Sequence, residues 1–216
     1  MEKSDVIIYL ADVKNADANA LYEKFKLKLE PRRITRIDNC MNDKEKKLII
    51  CTGVLLQGVL ARFGVSSDAI GYGPHDKPYI KERGDVFFNI SHSGNFVMIA
   101  VSGQPIGIDI QKPIPYKEAL INSLCAMEER DLLGQDLVKQ LNRVWAVKES
   151  YTKLTGEGSS KSLLDITYEA INDALIIKDN GKDVAVGSVV YADDLYQAVV
   201  ETREPFHVSA LNKMSL

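Results

Sequence analysis

Apolar residues in the first part of the chain follow two patterns, one typical of strands and one typical of helices. Residues 5–13 begin with the β-branched and aromatic run VIIYL and predict a strand. Residues 15–30 repeat apolar side chains at helical spacing and predict a helix that ends at Pro31. Residues 48–63 are apolar on all sides, as in a helix that is buried on most of its surface.

The rest of the chain contains more strand patterns. Residues 86–90 and 96–102 predict strands on either side of a polar turn, and residues 106–110 predict the next strand. Helical periodicity returns over residues 126–133 and 137–154. The remaining β-rich runs are short and resemble a meander, with strands predicted at 166–169, 174–178, 184–191, 195–201 and 208–211.

Helices and antiparallel-looking strands therefore occur in both parts of the chain. We predict an α+β fold made of two similar halves, residues 1–103 and 104–216. A chain of this size with two halves is expected to be a monomer.

Charge and hydropathy limit the partners that we expect. The 216 residues include 27 basic and 30 acidic side chains, for a net charge of −3, so there is no overall positive field to attract nucleic acid. The longest apolar stretch, residues 48–61, is interrupted by polar residues and glycines and is shorter than the ~20 residues that span a membrane. We predict neither a nucleic-acid partner nor a membrane partner, and any anion must bind locally.

Cysteine usage and the first residues of the chain suggest a cytoplasmic protein. Cys40, Cys51 and Cys125 are odd in number and form no CxxC pair, which argues against a disulfide framework and a zinc ribbon. The N-terminal segment has only about six apolar residues before charges resume, too few for the apolar core of a signal peptide. We expect reduced thiols in the cytoplasm.

Several common catalytic motifs do not occur in the sequence. It contains no GxxxxGK[ST] phosphate loop, no GxGxxG, no GxSxG and no HExxH. His75, His92 and His207 are far apart and lack metal-ligand spacing. A zinc hydrolase is therefore disfavoured.

Two polar segments in predicted strands have both a functional and a structural interpretation. Residues 89–94 (NISHSG) end a strand and could aim donors at an anion, or could form a hairpin turn whose side chains cap its own backbone. Asp109 lies in the middle of the apolar strand GIDIQ. A buried carboxylate is costly unless it binds a metal or is hydrogen-bonded, and the pattern alone does not choose between these.

A third segment places Trp145, Glu149 and Lys153 on one face of a predicted helix. A surface Glu–Lys pair, worth ~0.2–0.5 kcal/mol, is the simpler interpretation. However, Trp145 on the same stripe indicates that this face is at least half buried. Two carboxylates, Asp109 and Glu149, would suit Mg²⁺ shared with phosphate groups, so the three segments together suggest phosphoryl transfer without a phosphate loop.

Four segments in combination resemble the 4'-phosphopantetheinyl transferases of the Sfp type. They are residues 88–94 (FNISHSG), 106–110 (IGIDI), 145–153 (WAVKESYTK) and 72–78 (YGPHDKP), the last with three residues inserted between the glycine and the lysine of the family's Gly-Lys-Pro loop. The resemblance implies two α+β halves related by a pseudo-twofold axis, with coenzyme A in the cleft between them. It also implies Mg²⁺-dependent transfer of 4'-phosphopantetheine from coenzyme A to a serine of an apo acyl, peptidyl or aryl carrier protein, as in fatty acid, polyketide or nonribosomal peptide biosynthesis.

The resemblance also implies roles for individual residues. Asp109 and Glu149 match the Mg²⁺ ligands, Glu149 matches the proposed general base, and Lys153 matches the lysine that neutralises the diphosphate. Gln111 stands where the family often has a glutamate as a third ligand; we expect a water there and tolerance of Mn²⁺. The expected coenzyme A contacts are Arg33, Arg36, Lys77, Ser91 and His92, with Arg32 as an alternative to Arg33.

Two other classes of function remain open at this point. An inactive homologue that only binds coenzyme A or a nucleotide is favoured by Gln111, while the intact Asp109, Glu149 and Lys153 argue against it. A structural or interaction protein that uses an edge of the meander would leave these charged residues unexplained.

Overall fold

The structure is a computed structural model that describes residues 1–115, 117–130, 133–134, 136–193 and 195–216. The helices of these residues are α1 (Ala18–Phe25), α2 (Pro31–Asn39), α3 (Asp43–Ala61), α4 (Glu118–Leu124), α5 (Met127–Arg130) and α6 (Leu137–Thr155), with short 3₁₀ turns between elements. The strands are β1 (Asp5–Asp12), β2 (Ile70–Tyr72), β3 (Pro78–Ile80), β4 (Phe87–Ser93), β5 (Phe96–Ser102), β6 (Ile106–Gln111), β7 (Ile166–Ile171), β8 (Ala174–Asp179), β9 (Lys182–Ala192), β10 (Gln197–Thr202) and β11 (His207–Met214). The α+β prediction is confirmed.

The strands form two main sheets and one short hairpin. The first sheet has the order β11-β1-β5-β4, the second has the order β6-β10-β9-β8-β7, and β2 pairs with β3. Strands β1 and β11 are parallel, and the other strand pairs of the described residues are antiparallel.

Aliphatic side chains hold the two sheets together face to face. Ile8 of β1, Met98 of β5 and Ile108 of β6 are completely buried in the layer between the sheets. The outer face of the first sheet packs on α3, and the outer face of the second sheet packs on α6. Strand alternation sends successive side chains to opposite faces, so each sheet contributes to two apolar layers in an α–β–β–α arrangement.

The structure differs from the sequence prediction around Pro31. Helix α1 is shorter than the predicted segment 15–30, and Pro31 begins α2 rather than only ending a helix. Proline is well tolerated at the first helical position because its missing N–H would have no partner there. The first half of the predicted helix 126–133 forms the short helix α5, and residues 131 and 132 lie outside the described residues.

The last strand also differs from the predicted meander. Strand β11 leaves the second sheet and pairs in parallel with β1, on the outer side of the first sheet. This pairing supplies β1 with a second neighbour, which no local pattern could reveal. The division into residues 1–103 and 104–216 and the pseudo-twofold axis stay predictions. No helix among the described residues is long and apolar enough to cross a membrane.

Candidate active site

Side chains of β4 join the first sheet to the second sheet. Alternate residues of β4 accept hydrogen bonds from alternate backbone N–H groups of β6 and from that of Lys112, the residue after β6, at the edges where the two sheets meet. The pairs are Asn89 Oδ1 with the N–H of Ile108 (3.1 Å), Ser91 Oγ with that of Ile110 (3.2 Å) and Ser93 Oγ with that of Lys112 (3.1 Å). The NISHS segment therefore caps the neighbouring strand rather than its own turn, and it builds the seam on which the site lies.

Asp109 of β6 lies directly at this seam. The residue is 5% exposed, and Oδ1 accepts hydrogen bonds from Ser91 Oγ (2.7 Å) and Lys153 Nζ (2.5 Å). Oδ2 is buried and has no hydrogen-bond partner among the described residues. A buried carboxylate oxygen without a partner costs free energy, so Asp109 has an acceptor available for a cation.

Ser91 uses its whole hydrogen-bonding capacity inside the protein. Its hydroxyl donates to Asp109 and accepts from the N–H of Ile110 and from Lys153 Nζ (2.9 Å). A hydroxyl has one proton and two lone pairs, so nothing is left over for a ligand. The contact between Ser91 and coenzyme A stays a prediction, and it would have to come from the backbone.

Gly107 lets helix α6 approach β6 closely enough to complete the site. A Cβ atom on Gly107 would lie 1.9 Å from the carbonyl oxygen of Ser150, which is a severe clash. The helix begins where Asp136 accepts from the N–H of Lys139 (3.4 Å) and ends at Gly156, whose φ of 80° favours glycine. This close packing brings the C-terminal part of α6, which carries Glu149 and Lys153, next to Asp109.

The structure decides between the two interpretations of the Trp145–Glu149–Lys153 stripe. Trp145 packs against the core of the second sheet, and Lys153 forms its ion pair with Asp109, 44 positions away in the sequence. The lysine therefore does not serve a surface pair within one helix. It bridges the helix and the seam, with its side chain 28% exposed.

Glu149 is the second carboxylate of the site. Burial raises its pKa, the negative charge of Asp109 raises it further, and Lys153 opposes the rise. Glu149 lies one helical turn before Lys153, whose ammonium contacts Asp109, so the helix places both carboxylates beside the same lysine. A divalent cation placed between them would relieve this repulsion.

Arg36 and His92 extend the positive side of the site. His92 follows Ser91, the partner of Lys153, on β4, and the charges of Lys153 and of Arg36 on α2 act on its imidazole. Burial of part of the imidazole lowers the pKa of His92, and the positive charges of Lys153 and Arg36 lower it further, while its outer side remains exposed. Two cationic side chains beside an imidazole that can donate a hydrogen bond form a place where an anion could bind.

The structure does not bring Arg33 to this group. Its guanidinium is buried between Glu30 (3.1 Å) and the carbonyl oxygen of Ile49 (3.5 Å). Its side chain runs so close to α3 that a Cβ on Gly53 would lie 2.3 Å from it. Arg33 thus fastens α2 to α3, and its role as a coenzyme A contact stays a prediction without support from this geometry.

Lys77 connects the loop after β2 to the end of α6. Its Nζ donates to the carbonyl oxygen of Leu154 (2.8 Å), and burial, together with the nearby Arg203, lowers the pKa of Lys77 to about 8. Lys77 lies in a cleft of about 330 Å³. The cleft is also lined by His75, Asn89, Glu149, Lys153 and Ser159.

Gln111 lies at the end of β6, on the same face of the strand as Asp109. Its amide nitrogen donates to the carbonyl oxygen of Lys112 (2.9 Å), and its side chain is partly exposed. Among the described residues no group of three or more histidine, cysteine, aspartate or glutamate side chains is arranged to hold a metal. Asp109 and Glu149 could thus supply two oxygen ligands, and any further ligand would come from elsewhere.

Glu201 is a buried carboxyl group that the motifs did not single out. It lies on β10 opposite Gly107 and Gly187, is completely buried, and neither of its oxygens has a hydrogen-bond partner among the described residues. Burial raises the pKa of Glu201 well above that of an exposed glutamate; Ser150 opposes and Asp109 adds to this rise. The signal that pointed to Asp109, an acidic residue inside an apolar strand, also occurs in QAVVET and could have found it.

Comparison with known proteins shows the family of the chain. The profile of the 4'-phosphopantetheinyl transferase superfamily matches residues 105–198. The chain is 33% identical over 135 residues to 4'-phosphopantetheinyl transferase psf-1 of Bacillus pumilus. The aligned segment covers 60% of this chain and 58% of psf-1. It is 30% identical over 148 residues to 4'-phosphopantetheinyl transferase Sfp of Bacillus subtilis strain 168. This aligned segment covers 65% of this chain and 66% of Sfp.

A further 4'-phosphopantetheinyl transferase of Bacillus subtilis is 30% identical over 151 residues, 66% of this chain and 67% of that protein. The chain belongs to the 4'-phosphopantetheinyl transferase superfamily, and the resemblance to the Sfp type is confirmed. The matched segments span less than two thirds of psf-1 and Sfp.

Proposed function

We propose that the protein transfers the 4'-phosphopantetheine group of coenzyme A to a serine of an apo carrier protein and releases adenosine 3',5'-bisphosphate. The observation that carries this proposal is the convergence of Asp109, Glu149 and Lys153 at the seam between the sheets. Family membership supports the same reaction. The proposal includes a cytoplasmic location and a monomeric state.

The donor set fits a hard divalent cation such as Mg²⁺. Asp109 has an unpartnered oxygen, and the neighbouring Glu149 has a carboxylate under repulsion from it. Magnesium prefers such oxygens and commonly shares its shell with substrate phosphates and water, which suits a site with only two protein carboxylates. Asp109 and Glu149 would hold the ion, which when bound polarises the diphosphate oxygens.

The transfer requires little covalent work from the protein. The carrier serine oxygen attacks the β-phosphorus of coenzyme A and forms a new P–O bond. The bond from that phosphorus to the bridging oxygen breaks, and its electron pair leaves with adenosine 3',5'-bisphosphate. Glu149, whose raised pKa suits a proton acceptor, takes the serine proton directly or through a water. Such a base contributes about 10²–10⁴-fold.

Cationic side chains bind and orient the donor. Lys153 lies where it can neutralise charge that develops on the diphosphate, which is the main source of catalysis in phosphoryl transfer. Arg36 and His92 would hold the 3'-phosphate, and Lys77 the nucleotide. Gln111 would orient a water at the metal rather than add a negative charge.

A second candidate is a homologue that binds coenzyme A without transferring its arm. Gln111, which has no charge where the family often has a glutamate, is the observation that favours it. Turnover separates the two functions, because a binding protein would retain coenzyme A affinity without modifying a carrier.

The test is incubation of the protein with coenzyme A, Mg²⁺ and a panel of apo carrier proteins from fatty acid, polyketide and nonribosomal peptide pathways. Mass spectrometry should show at least one carrier gaining one phosphopantetheine on its serine. A parallel sample with EDTA should show none. Tight coenzyme A binding with no modification of any carrier would favour the binding protein instead.

A further inference from the structure

Arg36 depends on helix α2 for its position. The residue is exposed, and no hydrogen bond or ion pair with another described residue holds its guanidinium. Its charge nevertheless acts on the imidazole of His92 on β4. Helix α2 has only nine residues, of which Arg33 and Ile37 are buried. The contacts that anchor this short helix therefore decide where Arg36 lies.

A buried hydrogen-bond network anchors the start of α2. Glu30, the residue before the helix, is 6% exposed and accepts a hydrogen bond from the hydroxyl of Tyr72 at the end of β2. The same carboxylate oxygen lies 3.1 Å from Nε of Arg33, in the first turn of the helix. A carboxylate buried this deeply is costly without such partners. The network thus fixes α2 to β2, in addition to the contact of Arg33 with α3.

The ring of Tyr72 makes a second contact with α2. The guanidinium of Arg32 lies over this ring, 4.2 Å from its centroid. A cation over the face of an aromatic ring is attracted to it. Arg36 follows Arg32 by one helical turn and lies on the same side of the helix. A shift of the first turn against Tyr72 would therefore move Arg36 as well.

We propose that Tyr72 and Glu30 are positioning residues that hold Arg36, through helix α2, where it binds an anion. This inference rests on the proposed function, in which Arg36 and His92 hold the 3'-phosphate of coenzyme A. Neither positioning residue needs to touch the ligand. A charged group that is already held in its binding position loses less conformational freedom when the ligand arrives, and this raises the affinity.

The test is a double-mutant cycle between the anchor and the residue that it positions. Tyr72→Phe removes the hydroxyl and leaves the ring under Arg32, and it is combined with Arg36→Ala. Tyr191→Phe is the matched control, because its hydroxyl donates to the carboxylate of Asp193 (2.6 Å) at the turn after β9. Calorimetry measures the Kd of coenzyme A and of dephospho-coenzyme A, which lacks the 3'-phosphate. Urea denaturation measures stability, and kinetics with a carrier from the panel gives KM and kcat.

We expect Tyr72→Phe to raise the Kd of coenzyme A about 3- to 10-fold, the size of one net polar contact. The KM for coenzyme A should rise with it, while kcat and the Kd of dephospho-coenzyme A stay unchanged. In the Arg36→Ala background the same replacement should change the Kd of coenzyme A by less than about twofold, since the group that it positions is gone. Glu30→Gln should weaken binding in the same Arg36-dependent way, and Tyr191→Phe should match the wild type.

The outcomes distinguish the inference from the function on which it rests. Wild-type affinity in Tyr72→Phe, even with lower stability, would overturn the inference and leave the proposed function intact, because the network would then be only structural. An equal rise in Kd with and without Arg36, or an equal rise for dephospho-coenzyme A, would also overturn it. A wild-type protein that does not bind coenzyme A would overturn both.

Discussion

Two lysines of helix α6 form ion pairs with carboxylates of other elements. The two pairs have the same nitrogen–oxygen distance but differ in their surroundings. Lys148 lies 2.5 Å from Glu129, and Lys153 lies 2.5 Å from Asp109. The first pair is 0% and 1% exposed, and Lys148 also donates to the carbonyl oxygen of Leu124 (2.7 Å). The second pair lies at the seam between the sheets, and its lysine is 28% exposed to the cleft.

This comparison shows which feature distinguishes a reactive pair from a structural pair. Glu129 and Asp109 each have one buried oxygen without a hydrogen-bond partner among the described residues, so an unpartnered oxygen alone does not define a site. The two pairs differ in the residues and the space that surround them. Glu149 and the cleft lie beside Lys153, whereas Lys148 and Glu129 connect α5 and the end of α4 to α6.

The largest expected effect tests the reactive pair. Asp109→Ala and Glu149→Ala should each lower carrier modification by at least about 10³-fold, because each removes an oxygen ligand for the cation that neutralises the diphosphate. The mass shift of a carrier protein measures the loss, and circular dichroism checks that the fold is retained. Glu157→Ala, an exposed carboxylate just beyond α6, is the control and should stay within about twofold. Full turnover by either site variant would disprove the assignment.

The next effect tests the structural pair. Lys148→Ala leaves Glu129 buried without this partner and should lower the free energy of unfolding by about 3–5 kcal/mol. Lys153→Ala should lower it by less, because that lysine is 28% exposed and water can take its place beside Asp109, but should reduce turnover about 10²-fold or more. Urea denaturation measures the loss of stability in each variant, and the carrier assay measures the loss of turnover. Equal stability losses in the two variants would remove the distinction between the pairs.

A smaller effect concerns Glu201, the buried carboxyl group near Asp109. Its pKa is raised in the folded protein from the ordinary 4.5, so the folded state binds the proton more tightly than the unfolded chain. Stability is then lost as the pH rises from about 4.5 towards the folded-state pKa. Glu201→Gln removes this loss and should raise the free energy of unfolding at pH 7 relative to that of the wild type.

Denaturation between pH 5 and pH 8 measures this change. The unfolding free energy of Glu201→Gln should depend less on pH than that of the wild type. Glu169→Gln, an exposed glutamate on β7 of the same sheet, is the control and should change stability by no more than about 0.5 kcal/mol. A parallel pH dependence in wild type and Glu201→Gln would mean that Glu201 is not the group that titrates.

The smallest effect concerns Gln111, whose amide contributes no charge beside Asp109. Gln111→Glu should keep or raise turnover, by no more than about tenfold, because a carboxylate can replace the expected water in the cation shell. Turnover at varied Mg²⁺ and Mn²⁺ concentrations measures the change. A variant that folds but has no activity would contradict the water-mediated arrangement.

Local sequence patterns were sufficient to predict many of the strands and helices. The predicted strands around residues 86–110 and the long helix near residues 137–154 agree with β4, β5, β6 and α6, because side-chain period depends on neighbours in the chain. The prediction was less accurate where local signals conflict. Pro31 suggested only a helix end, although a proline also starts helices, and the partner of β11 depends on a strand about 200 residues away.

The same contrast holds for the candidate site. The sequence by itself determined that Asp109 lies inside an apolar strand and that Glu149 and Lys153 share one helical face, since both facts follow from local periodicity. Only the tertiary structure decided that Lys153 pairs with Asp109, that Ser91 is committed to the seam and that Arg33 is buried against α3. Those contacts depend on how closely separate elements approach, which glycines such as Gly107 and Gly53 permit and which no periodicity encodes.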